Sequence, residues 1–75
     1  MNQREKNECL FDIVDRIWMA YRKSSESGDA TNFNEVFTPL YELYEEPEFR
    51  EFICQFGGAL APFVNKACAT CYGEK

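Results

Sequence analysis

The sequence predicts an all-α fold, a compact domain of four helices with short loops that occupies residues 1–75 as a single unit. Three observations predict it. Apolar residues recur three and four positions apart along most of the chain, which is the period of a helix that buries one face. No strand-like alternation and no repeat of 20 to 50 residues interrupts that pattern. Proline and glycine stand between the periodic stretches, where chain reversals are needed.

The first helix is expected over about residues 3–24. Leu10, Ile13, Val14, Ile17, Trp18 and Tyr21 form its apolar face, opposite Glu8, Asp12, Asp15, Arg16, Arg22 and Lys23. Phe11 and Ala20 widen the apolar arc to about half the circumference, so this helix should touch at least two others. Met19 points to the polar side and is a candidate external contact. Residues 24–32, Ser-Ser-Glu-Ser-Gly-Asp-Ala-Thr-Asn, read as a polar loop with solvated serines. Asn32 followed by Glu35 has the form of a capping box ahead of Phe33, Val36, Phe37, Leu40, Leu43 and Tyr44, which predicts the second helix. Pro39 falls inside it. Either the helix kinks there, or a short turn precedes a helix capped at Thr38 with Pro39 in its first position.

Glu46-Pro47 predicts a sharp bend, because proline disfavours helical geometry at the residue before it and suits the first position of a new helix. A third helix follows over about 47–56, with Phe49, Phe52, Ile53 and Phe56 buried and Gly57-Gly58 as its stop. The fourth is expected over about 60–72, with Leu60, Phe63, Val64, Ala67, Cys68, Cys71 and Tyr72 on one face. The core so drawn is rich in Phe, Tyr and Leu around Trp18.

A chain of 75 residues with twelve aromatic rings is too small to hide every one of them, so apolar surface is expected to remain for a partner or for a second copy. The formal charge is −5, and it is concentrated. Between residues 32 and 51 six glutamates face a single base, Arg50, whereas the segments on either side are nearly neutral. Such a middle repels nucleic acid and anionic lipid, which argues against direct binding to either. Leu60, Ala61, Pro62 and Phe63 are unsuited to reading base edges, which also argues against a helix-turn-helix reading of the Gly57-Gly58 break. The charged N-terminus has no apolar run of a secretory signal, so the mature chain is expected to begin at Met1. No stretch reaches the roughly 18 to 20 apolar residues that a membrane span requires. The expected location is the cytoplasm.

The four cysteines are the remaining reactive groups. Cys68 and Cys71 have redox-pair spacing, but they lie near the C-terminal end of a predicted helix, where the macrodipole opposes thiolate formation. No strand precedes them either. Cys71-Tyr72-Gly73 faintly resembles part of a zinc knuckle. Cys9, Cys54, Cys68 and Cys71 form the only all-sulfur set that could make a zinc-stabilised module, and Cys9 and Cys54 are isolated on separate helices. The reading adopted is that Cys68 and Cys71 pack as small hydrophobes and that no cofactor is bound. Cys54 projects away from its helix's apolar stripe, where it can meet a helix on the far side, lie at a dimer seam or simply be exposed; the first two are preferred.

Without histidine, a phosphate loop or a nucleophile motif, catalysis is not expected. Glu42, Glu45, Glu46, Glu48 and Glu51 are the candidate partner-binding residues, an acidic face that can be no more than solvated or can dock on a basic surface. The function expected is protein–protein interaction, as an adaptor or inhibitor that covers a basic surface on a larger intracellular protein. In size, acidity and lack of catalytic groups the chain resembles the inhibitors that phages and mobile elements direct against host nucleic-acid-processing enzymes, including anti-CRISPR proteins. The likeness is one of composition and covers no motif. An obligate homodimer, with the surplus aromatic surface as its seam, is the structural alternative.

Overall fold

The computed structural model describes residues 1–68, and in them the fold is all-helical with three helices, not four. They are α1 (Gln3–Ser27), α2 (Thr31–Leu43) and α3 (Pro47–Ala67). Cys71 and Tyr72, assigned above to a fourth helix, lie outside the described residues.

A capping box opens α1. The Asn2 side chain accepts from the Glu5 N–H at 2.8 Å, and the Glu5 carboxylate accepts from the Asn2 N–H at 3.1 Å. The helix runs three residues beyond its expected end and stops at Gly28, whose φ of 80° is the left-handed geometry that a side chain would resist. The Gly28 N–H donates to the Ser24 carbonyl at 2.9 Å. The expected long loop therefore shrinks to residues 28–30. Ser24 is not solvated but fully buried, because its hydroxyl accepts the Phe33 N–H at 2.9 Å and so satisfies one of the orphan donors of α2. The Asn32–Glu35 capping box does not form, since α2 begins at Thr31 and Asn32 already lies inside it. Asp29 does part of that work, taking the Thr31 N–H at 3.0 Å and the Thr31 hydroxyl at 2.7 Å.

Of the two readings of Pro39, the one that holds is a single helix running through it. Glu35, whose carbonyl loses its i+4 donor, is exposed, so water can serve that carbonyl. The bend at Glu46-Pro47 forms as expected: Glu46 is extended and Pro47 opens α3. The expected stop at Gly57-Gly58 does not, and α3 continues through both glycines and through Pro62. A Cβ on Gly57 would meet the Phe37 ring, with Cζ only 2.6 Å away, so this glycine lets α2 and α3 approach rather than ending a helix. A Cβ on Gly58 would meet nothing within 4 Å.

α1 packs on both other helices about equally, as its broad apolar arc requires, whereas α2 and α3 touch each other less. Ile13 and Ile17 from α1, Phe33 and Leu40 from α2, and Phe49, Ile53 and Val64 from α3 form one buried cluster. Trp18 is not its centre. Trp18 is 44% exposed, Phe11 is 70% and Phe63 is 56%, because all three project from the outer sides of their helices. Cys68, by contrast, is buried at the end of α3 and packs into the core, as its place on the apolar stripe implies.

Two substitutions separate the glycines. Gly57→Ala should lower unfolding free energy by about 1–2 kcal/mol, because the added Cβ displaces the Phe37 ring from its packing on α3 and from its edge-on contact with Phe33. Gly58→Ala should raise it by about 0.5–1 kcal/mol through helix propensity. Urea unfolding followed by circular dichroism reads both signs. The same assay should show Ser24→Ala costing about 1–2 kcal/mol, the loss of a cap whose donor stays buried.

Candidate functional site

The acidic residues gather where α2 turns into α3. Glu42 lies in the last turn of α2, Glu45 in the connection, Glu46 at the cap of α3, and Glu48 and Glu51 in the first two turns of α3. All five are exposed. Glu42, Glu45 and Glu46, with Leu43 and Pro47, line an open depression of about 510 Å³.

Arg50, the one base in this segment, does not neutralise its neighbours. Its guanidinium donates to the Tyr41 carbonyl at 2.8 Å and to the Tyr44 carbonyl at 3.3 Å, and lies 5.8 Å from the centre of the Tyr41 ring. Those carbonyls belong to the C-terminal turn of α2, which has a partial negative charge and lacks donors of its own. Arg50 thus caps α2 from α3 and fixes the angle of the corner. Lys6 reaches Glu48 at 3.3 Å, and the Gln55 amide donates to Glu51 at 3.3 Å. Among the described residues no ion pair engages Glu42, Glu45, Glu46 or Glu51. Glu46 and Glu48 also sit at the positive end of the α3 dipole, which favours carboxylates there.

Comparison with protein-family models, curated proteins and solved structures finds no match to this chain.

The thiols are dispersed. Cys9 is half-buried on α1, Cys54 is exposed on α3 and Cys68 is buried, while Cys71 lies outside the described residues. Among the described residues no three histidine, cysteine, aspartate or glutamate side chains are placed to hold a metal ion, so Cys9, Cys54 and Cys68 do not form three corners of a zinc site. The far-side contact expected of Cys54 exists only in part: its thiol shares a 2.9 Å hydrogen bond with the Tyr41 hydroxyl and otherwise faces solvent. Next to it, Phe33, Phe37, Tyr41, Gly57 and Ala61 line a shallow apolar groove of about 280 Å³. Among the described residues no helix is long and apolar enough to cross a membrane.

One polar cluster escaped the sequence reading. Tyr44 donates its hydroxyl to Asp12 at 2.7 Å, and Arg16 donates to the same carboxylate oxygen at 2.8 Å. This ties the start of the acidic corner to α1. Thirty-two residues separate Asp12 and Tyr44, and no local pattern signals such a pair. The Tyr44 hydrogen bond, with help from Arg16, holds the Asp12 carboxyl below its usual range, although partial burial pushes the other way. Burial first, and then Asp12, push the Tyr44 hydroxyl up to about 12.

The cluster gives stability a pH dependence with definite signs. Asp12, lowered in the folded state, contributes above the unfolded carboxylate value of about 4, and the contribution is lost as pH falls through the lower folded value. Tyr44, raised in the folded state, contributes below about 10, and that is lost as pH climbs from about 10 to about 12. Tyr44→Phe should flatten both limbs in urea unfolding measured from pH 2 to pH 12, most visibly between about 10 and 12.

Proposed function

We propose that the protein acts by binding, not by catalysis, as a small acidic adaptor or inhibitor that lays the corner between α2 and α3 on a basic surface of a larger protein. The observation that carries this reading is the combination of five exposed glutamates with an Arg50 whose guanidinium is engaged by backbone carbonyls and makes no ion pair with them. A charged docking surface gains most when it is held in one shape before it binds, since less freedom is then lost on association. The Arg50 cap, the Pro47 start of α3 and the Tyr44–Asp12 tie supply that shape. Basic surfaces built for phosphate are the natural counterpart, so the partner class is a nucleic-acid-processing enzyme, in keeping with the compositional likeness to phage and mobile-element inhibitors.

Replacing Glu42, Glu45, Glu46, Glu48 and Glu51 together with glutamine should leave the helical circular dichroism spectrum unchanged. Binding to the partner captured from the native cell should weaken by at least about tenfold at low salt, with the two proteins converging as salt rises. Equal affinity of the variant and the natural protein at low salt would refute the charged-docking reading.

A further inference from the structure

A second surface is apolar, and it lies on the opposite side of the bundle from α2. On α1, Asn7, Phe11, Val14, Trp18, Tyr21 and Ser25 follow one another at spacings of four and three, an uncharged stripe with the period of a coiled-coil seam. Of its rings, Phe11 and Trp18 are the most open, and Trp18 leans on Tyr21 with centroids 5.1 Å apart. On α3, Phe52, Phe56, Ala59 and Phe63 project beside it, also without charge, Phe52 stacking on Phe56 at 6.0 Å.

The two helices run parallel and in fixed register. Lys6 meets Glu48 at one end, and the Ser24 carbonyl meets the Cys68 thiol at the other. The middle of α1, near Asp15, is therefore level with Gly58 of α3. The stripes form one face about two helices wide.

We infer that this face binds a second copy of the chain, as an antiparallel dimer whose two-fold axis crosses α1 near Asp15 and α3 near Gly58. The charges flanking the stripes select that occupant and that orientation. A perpendicular two-fold at this level sets Arg4 opposite the partner's Glu26, Glu8 opposite the partner's Arg22 and Lys66 opposite the partner's Glu48. All three pairs are of opposite sign. The same operation lays Phe11 on the partner's Trp18 and Phe52 on the partner's Phe63, with small Ala59 opposite Phe56. A two-fold parallel to the helices instead brings α1 against the partner's α3, Glu8 near the partner's Glu51 and Arg22 near the partner's Lys66, both repulsive. For copies that each have a charge of −5, that difference decides the orientation. Asp15 faces its own counterpart near the axis, but on the solvent flank, where water screens it.

The area is adequate for a modest dimer. At 70, 44 and 56% exposure, Phe11, Trp18 and Phe63 offer roughly 350 Å² per copy. Half-buried Val14, Tyr21, Phe52 and Phe56, with the stems of Arg22 and Lys66, extend this toward the roughly 600–800 Å² per partner of stable small interfaces.

Sedimentation of the full chain, with reductant present so that exposed Cys54 cannot cross-link, tests the inference. The natural protein should dimerise reversibly with a micromolar Kd, and Phe11→Ser with Trp18→Ser should give a monomer of unchanged helix content. Glu8→Arg and Arg22→Glu should each raise the Kd by at least about fivefold, and the two together should restore it to within about threefold, because both charges reverse in both copies. A strict monomer up to about 200 µM overturns the inference, whether the face is then covered by residues 69–75 or by a foreign protein. So does a dimer indifferent to the aromatic substitutions, or a charge-swapped pair that fails to recover.

Discussion

The hydroxyl of Ser24 accepts the N–H of Phe33, and through that buried 2.9 Å bond the end of α1 is fastened to the start of α2. The carbonyl of the same residue takes the Gly28 N–H and the Cys68 thiol, so the end of α3 arrives at the same point. One small residue, through its hydroxyl and its backbone carbonyl, thus joins all three helices at one end of the bundle. A buried backbone donor left without an acceptor costs on the order of 1–3 kcal/mol, a large share of what a domain this size holds in reserve. The junction also sets the register. With Cys68 level with Ser24, α3 lies parallel to α1, and the bend between α2 and α3 falls at the far end. The acidic corner is where it is because the serine is where it is.

That corner is stiff for reasons of backbone chemistry. A helix C-terminus leaves carbonyls without donors, and the corner needs a sharp turn immediately after one. Arg50 supplies donors to two of those carbonyls from the next helix, and Tyr44 reaches back to Asp12 on α1. The Arg50 guanidinium, engaged by those carbonyls, makes no ion pair with the glutamates around it. The outward charge is thus a by-product of how the turn is held, and among the described residues Lys6 at Glu48 makes the one ion pair to these five glutamates.

Much of this could be read from the residues in order, and the exceptions share one cause. Helical periodicity, the Glu46-Pro47 bend, the two-sided packing of α1 and the burial of Cys68 are each decided by neighbours within a turn or two, and each is found. Gly57-Gly58 has the local signature of a stop because glycine pairs usually end helices, but the role of Gly57 is set by Phe37, twenty positions earlier and on another helix. Ser24 looked like loop because its acceptor role depends on Phe33 folding back over it. Trp18 looked like the core because a large ring on an apolar arc usually is. Spacing shows that a face is apolar; only the number of neighbouring helices shows whether the bundle can cover it. For the candidate site the positions and exposure of the five glutamates followed from their local pattern, whereas the inward turn of Arg50 and the Asp12 tie required the third dimension.

The merging of two expected helices into one explains the surplus of exposed rings. Four short helices could have enclosed a core from more sides, each giving up one face. Three longer ones meet along a single line, and each can offer its neighbours only the arc that points toward that line. The apolar arc of α1 spans about half its circumference, wider than α2 and α3 together subtend, so the part beyond α3 has nothing within the described residues to lie against. A continuous α3 adds Phe52, Phe56 and Phe63 beside it. Because α3 continues through Gly57, where the missing side chain lets Phe37 of α2 approach, its aromatic residues stay in line with the exposed rings of α1 on the side of the bundle away from α2. That face and the acidic corner are separate consequences of the same three-helix arrangement, one apolar along the length of α1 and α3, the other charged at the turn.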